Sequence, residues 1–391
     1  MNKKIAILGA TGSVGTQALD VAEARGYDVR LISAHRDVDS AERIARKMRP
    51  EAVAMTDERA ARDLAVRLAD LDIRVLAGAD ALIEAVAESD VDTVVNSIIG
   101  SAGLMPTLAT LRSGKRLALA NKESLVASGE IVKAAAKESG AELIPVDSEH
   151  SAIFQSLKSG RPSEVKRILL TASGGPFFGY SSEDMKRVTL ADTLRHPTWK
   201  MGRRITVDSA TLMNKGFEVI EAYHLFDVAP ENISVVIHRE SILHSAVEYI
   251  DNTVIGEMST PDMRMCVEYA VDYPDRKPSV SRPLDLFAVG KLTFSPPDTD
   301  AFPLLSLAYR ALEYGGAVPA VLNAADEVAV GAFLDSHLAF SEISEVVAET
   351  VERLSSLSSV NTLDGIFAAD SEARRVAQEI VNGKKRDTGS H

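Results

Sequence analysis

Two acidic stretches carry the side chains best suited to chemistry. In Pro145-Val146-Asp147-Ser148-Glu149-His150 two carboxylates lie two residues apart. An extended chain would point Asp147 and Glu149 the same way and Ser148 elsewhere, and paired carboxylates repel unless a cation or proton intervenes. The same residues also suit a helix start, with Asp147 or Ser148 capping a helix over 151–157 and Glu149 in its first turn. From this segment alone the helix start is the simpler reading. The second stretch runs from Val207-Asp208-Ser209 through Asn214-Lys215-Gly216-Phe217-Glu218 to Glu221. Helical spacing puts Asn214, Lys215 and Glu218 on one face with Glu221 close by, and spacing does not choose between the glutamates. The plain alternative is an exposed helix with Lys–Glu pairs worth ~0.2–0.5 kcal/mol each. Three carboxylates without a cysteine pair suit Mg²⁺ or Mn²⁺ better than histidine-rich zinc coordination.

A different chemistry is written in Gly9-Ala10-Thr11-Gly12-Ser13-Val14-Gly15, which follows a short apolar run and opens a helical pattern. Glycines there let the backbone approach a pyrophosphate held by helix N-terminal N–H groups. The spacing is GxxGxxG rather than GxGxxG, so the turn could also be merely tight. About twenty residues on, Ser33-Ala34-His35-Arg36-Asp37 stands where a ribose contact is expected. Arg36 there favours the 2′-phosphate of NADP, Asp37 would favour NAD, and Arg36 could be a solvated surface charge. Between the acidic stretches lie Thr171-Ala172-Ser173-Gly174-Gly175-Pro176-Phe177 and Arg195-His196-Pro197-Thr198-Trp199-Lys200-Met201-Gly202, the latter holding the chain's one tryptophan. Glycines at both ends make 173–203 a candidate lid that excludes water, or a surface loop anchored by Trp199.

These residues need a scaffold. β-branched runs over 5–8, 29–33, 52–55, 73–76, 93–96, 116–119 and 142–146 alternate with helix-length stretches such as 16–25, 57–68 and 130–139. That alternation predicts an α/β fold, a Rossmann-like doubly wound parallel sheet over 1–146 that binds the dinucleotide. Runs at 168–171, 234–238, 244–249 and 254–258 predict a central α+β catalytic domain over 147–280. Prolines over 274–303 suggest a connection, drawn at 281–302, and periodicity over 303–391 predicts a C-terminal helical bundle. The 391 residues suffice for two or three cores. A net charge of −13, from 43 basic and 56 acidic residues, argues against nucleic acid or an anionic membrane as partner. The lone Cys266 excludes an internal disulfide and a CxxC metal cluster and fits a reducing cytoplasm. No window approaches the ~20 apolar residues of a membrane span.

Taken with Ala102-Gly103-Leu104, Ala120-Asn121-Lys122-Glu123-Ser124-Leu125-Val126, Pro261-Asp262-Met263-Arg264 and Leu322-Asn323-Ala324-Ala325, these blocks make the chain closely similar to the 1-deoxy-D-xylulose 5-phosphate reductoisomerase family, up to about Asn382. The resemblance implies an NADPH-dependent oxidoreductase of the non-mevalonate isoprenoid route, a homodimer acting on a small sugar phosphate. It implies that Asp147, Glu149 and Glu218 hold one Mg²⁺ or Mn²⁺. It further implies that Lys122, Ser148, Glu149, Ser173, His196, Trp199, Ser209, Asn214, Lys215 and Glu218 contact substrate, the phosphate falling to Ser173, Ser209, Asn214 and Lys215. Lys122, Glu149, His196 and Glu218 would be catalytic. Cofactor positions would be Thr11, Gly12, Ser13, Val14, His35, Arg36, Asp37, Asn121, Glu123 and Gly202. The sequence departs from the family pattern at His35, Asp37, Thr198 and Asp326. A semialdehyde-type dehydrogenase would need a nucleophilic cysteine, whereas Cys266 reads as a helix-interior residue. A nucleotide-binding redox sensor without turnover is the remaining rival.

Overall fold

The structure is a computed structural model that describes residues 3–195 and 202–388. It divides into two compact units, each assembled from separated stretches of chain. The first comprises Met1–Ser124, Val132–Ser151 and Asp262–Pro283. Its sheet holds β1 (Lys4–Leu8), β2 (Asp28–Ala34), β3 (Ala52–Met55), β4 (Arg74–Ala77), β5 (Thr93–Asn96), β6 (Arg116–Leu119) and β7 (Leu143–Pro145), in the order β4-β3-β2-β1-β5-β6-β7, with every pairing parallel. Ala6, Ile7 and Leu8 are fully buried, as expected for a central strand covered on both faces. The chain leaves β1 toward β2 on one side and returns to pair β5 on the other. That reversal opens a crevice beyond the carboxyl ends of β1 and β5, where such sheets bind ligands.

The second unit comprises Leu125–Ile131, Ala152–Pro261 and Leu284–His391. A four-stranded sheet of β8 (Val165–Ala172), β9 (Ile233–Ile237), β10 (Leu243–Tyr249) and β11 (Val254–Met258) runs in the order β11-β10-β8-β9. Antiparallel pairs join β10 to β11 and β8, and a parallel pair joins β8 to β9. One apolar core joins the sheet residues Ile168, Leu170 and Val247 to Leu304, Val321, Val347 and Val381 of the C-terminal helices. The sheet and the C-terminal helices therefore share a core. Helix Met213–Phe226 approaches helix Pro303–Tyr314 so closely that a Cβ on Gly216 would lie 2.7 Å from the Ala308 methyl.

Residues 262–283 differ from the expected plan of catalytic domain and connection. Helix Met263–Asp272 belongs to the first unit, where Arg25 pairs with Glu268 at 3.3 Å and Lys277 with the buried Asp272 at 2.6 Å. Glu268 also accepts from Ser279 Oγ and Val280 N, which fixes the proline-rich stretch to that helix. Within 281–302 the chain forms the short helix Leu286–Val289, and Ser295 pairs with Ile237. Among the described residues no helix is long and apolar enough to cross a membrane.

Candidate functional site

In the first unit the glycine turn leaves β1 and enters helix Ser13–Arg25. Gly9 has φ +74°, and a Cβ there would sit 2.7 Å from the Ser97 carbonyl; a Cβ on Gly15 would sit 2.2 Å from the Gly9 carbonyl. Only glycine fits either place. The turn is pinned by Ala10 N to Ser33 O at 2.8 Å and Gly9 N to Ser33 Oγ at 3.1 Å. Helix Ser13–Arg25 has no side-chain cap and no acid in its first turn, so its N-terminal N–H groups suit an anion. Thr11, Gly12 and Val14 are half-buried and Ser13 is exposed.

At the end of β2 the exposed triplet divides its roles. Asp37 caps helix Val38–Met48 by accepting from Ser40 N at 3.0 Å, and this bond holds its carboxyl below the usual range. Arg36 lies 2.9 Å from Asp57 and is 73% exposed, while His35 Nδ1 lies 2.8 Å from Thr56 Oγ1. The carboxylate that kept NAD open is thus used as a helix cap, and the guanidinium stays accessible.

Asn121 and Glu123 brace the loop after β5. Asn121 Nδ2 donates to the carbonyls of Ile98 and Gly100 and to Glu123 Oε2 at 2.8–2.9 Å, and Glu123 Oε1 accepts from Gly100 N at 3.0 Å. Both side chains are buried, so their bonds brace the loop that follows β5. Lys122, between them, lies 3.0 Å from Asp147 Oδ2. Asp147 follows β7, and the helix Ser148–Ser156 begins directly after it. Asp147 O accepts from Ser151 N at 2.8 Å and its Oδ1 from Glu149 N at 3.3 Å. The extended arrangement of Asp147 and Glu149 is therefore not what forms: free N–H groups at a helix start draw the carboxylate in. Ser148, expected to face elsewhere, donates through Oγ to Glu149 Oε2 at 2.5 Å.

In the second unit Asn214, Lys215 and Glu218 meet as their spacing predicts. Asn214 Nδ2 donates to one oxygen of Glu218 and Lys215 Nζ to the other. The pair is not on an exposed face: the side chains of Lys215 and Glu218 are 4% and 1% exposed. Glu221 is also buried. Ser173 ends the strand β8 region, and its Oγ accepts from Gly175 N at 3.3 Å. Gly175 has φ +64°, and a Cβ on it would lie 2.5 Å from the carbonyl of Ser209, so this turn brings the stretches carrying Ser173 and Ser209 together. Gly202 is the exposed N-cap of helix Arg203–Ala210. His196, Thr198 and Trp199, with the middle of the expected lid 173–203, lie outside the described residues. Cys266 occupies the interior of helix Met263–Asp272, as expected.

Arg239 was missed from the sequence, and Asp326 stood out there only as a departure from the family pattern. Arg239 donates to the carbonyls of Ser173 and Gly175. Asp326 is fully buried, and neither of its oxygens has a donor among the described residues. Burial, then the neighbouring Asp208 carboxylate, raises its pKa well above the ordinary value, against the opposing pull of Arg204. No local pattern announces such contacts, since each partner comes from a remote segment.

Family models of 1-deoxy-D-xylulose 5-phosphate reductoisomerase match residues 5–129 and, for its C-terminal domains, 143–226 and 258–376. The 1-deoxy-D-xylulose 5-phosphate reductoisomerase of Halothermothrix orenii is 47% identical over 97% of this chain and 99% of its own length. That of Caldanaerobacter subterraneus is 49% identical over 95% and 97%. Among solved structures, the Zymomonas mobilis enzyme in complex with NADPH superposes with a TM-score of 0.91 at 39% identity, covering 97% of this chain and 99% of that one. A reductoisomerase in complex with NADPH, fosmidomycin and magnesium gives 0.92 at 37% identity, covering 97% and 98%.

Proposed function

The chain belongs to the 1-deoxy-D-xylulose 5-phosphate reductoisomerase family, and from that premise we propose how its own residues carry the family's reaction. The enzyme converts 1-deoxy-D-xylulose 5-phosphate to 2-C-methyl-D-erythritol 4-phosphate with NADPH and a divalent metal, in the non-mevalonate route to isoprenoids. The observation that carries this is the match over nearly the whole length of both chains.

Asp147, Glu149 and Glu218 would hold Mg²⁺ or Mn²⁺. They offer only oxygen donors, the set a hard ion prefers, and Asn214 and Lys215 keep both Glu218 oxygens oriented. When bound, the ion polarises the substrate's carbonyl and stabilises developing oxyanion charge while the carbon skeleton rearranges, and NADPH supplies the hydride that reduces the resulting aldehyde. The glycine turn and the uncapped start of helix Ser13–Arg25 would take the pyrophosphate, with Thr11, Gly12, Ser13 and Val14 lining it. Arg36 would meet the 2′-phosphate, flanked by His35 and Asp37, and Asn121, Glu123 and Gly202 complete the cofactor contacts. Ser173, Ser209, Asn214 and Lys215 would bind the substrate phosphate, and Ser148 a hydroxyl. Lys122 Nζ, already beside a carboxylate, would donate a proton to the alkoxide formed on reduction. His196 would orient the substrate and Trp199 close over its carbon chain.

The homodimer and the cytoplasmic setting belong to the same reading. The outer strand β11 leaves Val254 and Met258 exposed at a sheet edge, a surface that another copy would cover, and the lone Cys266 suits a reducing compartment. The deciding assay follows NADPH oxidation by chelator-treated protein with 1-deoxy-D-xylulose 5-phosphate. Turnover is expected only after Mn²⁺ or Mg²⁺ is restored; metal-independent turnover, or none with metal, would overturn the reading.

A further inference from the structure

The segment 238–242 between β9 and β10 is unusually well anchored for a surface turn. His238 is fully buried, its Nε2 accepting from Ile242 N and Leu243 N at 3.2 Å while Nδ1 lies 2.9 Å from the Thr293 carbonyl. Its own N–H donates to Ala172 O at 2.7 Å, tying the turn to the end of β8. From this platform Arg239 reaches across Ser173-Gly174-Gly175. One nitrogen, Nη1, donates to Ser173 O at 2.9 Å and Gly175 O at 2.6 Å, and the guanidinium lies 5.1 Å from the Phe178 ring centroid. Glu240 adjoins Arg239 in sequence, but its carboxylate is directed to Thr293 and His238. Among the described residues no carboxylate comes within ion-pair distance of Arg239. A half-buried cation has thus been spent on two main-chain carbonyls, on either side of a glycine at φ +77°.

We propose that Arg239 is a positioning residue of the substrate-phosphate subsite. Its guanidinium holds the carbonyls of Ser173 and Gly175 and so fixes the turn that carries the Ser173 hydroxyl. Its charge, unpaired by any described carboxylate, adds to the field felt by a phosphate dianion. The turn also approaches the Ser209 carbonyl closely at Gly175, so Arg239 and that contact hold it together. This inference rests on the reading that Ser173 contacts the phosphate.

The test is steady-state kinetics of R239A, R239K and S173A with saturating NADPH and Mn²⁺, together with inhibition by inorganic phosphate and thermal melts. R239A is expected to raise KM for the sugar phosphate about tenfold with kcat within about threefold, and to weaken inhibition by phosphate similarly. R239K, which keeps the charge but lacks the planar fork, should fall between wild type and R239A. A lower melting midpoint with KM unchanged, or a loss of kcat with KM unchanged, would overturn the proposal, leaving Arg239 a structural brace. If S173A raises KM while R239A does not, only the role of Arg239 fails. If S173A leaves KM unchanged, the phosphate reading of Ser173 itself fails. Should R239A not fold, R239Q, which retains a neutral donor, gives the same readout.

Discussion

Lys122 and Lys215 each set an ammonium beside a carboxylate, yet the two pairs are built by different means. Lys122 and Asp147 come from the ends of elements, one at the start of helix Glu123–Ser139 and one between β7 and the next helix, with side chains 10% and 14% exposed. Lys215 and Glu218 sit one turn apart within a single helix and are almost entirely buried. A pair at element ends lies outside any helix interior, so its loss is expected to disturb the fold less. A pair sealed in a helix interior is part of the core, and its loss is felt by the fold.

The sharpest way to break this contrast is Glu218→Ala. It strands a buried ammonium, which should cost about 3–5 kcal/mol, read as a clear fall in the unfolding midpoint, and turnover should vanish with it. Asp147→Asn should separate the two effects. Asparagine caps a helix about as well as aspartate, so the melt should stay within about 0.5 kcal/mol while turnover falls more than about 100-fold through the lost metal ligand. A melt as damaged as that of Glu218→Ala would show that the two pairs are not different in kind. Arg36→Ala should lower the preference for NADPH over NADH roughly 10- to 100-fold, the value of a charged hydrogen bond to phosphate, with the melting midpoint unmoved because Arg36 is exposed.

Asp326 extends the contrast to a buried acid set beside a second carboxylate, Asp208, with Arg204 opposing. Because burial and Asp208 raise its pKa, the folded protein keeps a proton that the unfolded chain releases. Its contribution to stability is fully present below the ordinary aspartate value of about 3.9 and is lost as pH rises through the raised value. Asp326→Asn, whose amide can donate to Asp208 without titrating, should melt like wild type at acid pH and progressively higher than wild type as pH increases. Parallel curves for the two proteins would show that Asp326 carries its charge in the fold.

The strands were legible wherever β-branched runs were bounded by turn residues: 52–55, 93–96, 116–119 and 254–258 form as read. Helix Glu123–Ser139 was seen only over 130–139, because its first turns are buried on nearly every side and show no amphipathic period. It kinks at Ser128, and a Cβ on the following Gly129 would lie 2.2 Å from the His224 ring. The glycine turn and the Asn214-Lys215-Glu218 face were legible because spacing along one element determines them. Burial of the latter was not, since a charged triplet reads as a solvated face until the surrounding core is known. Arg239, Asp326 and the return of residues 262–283 to the first unit depend on contacts between remote stretches, which periodicity does not encode.

That return has a consequence for how the chain is made. Helix Met263–Asp272 supplies Glu268 and Asp272, the acids that neutralise Arg25 and Lys3, so the first unit lacks a structural piece until residue 283 has been synthesised. At translation speeds of about 5–20 residues per second, a nascent chain waits on the order of ten seconds between emergence of β7 and arrival of that helix. During that interval the face of helix Ser13–Arg25 that it will cover is open, and an amino-terminal fragment ending near residue 151 would carry the same bare surface permanently.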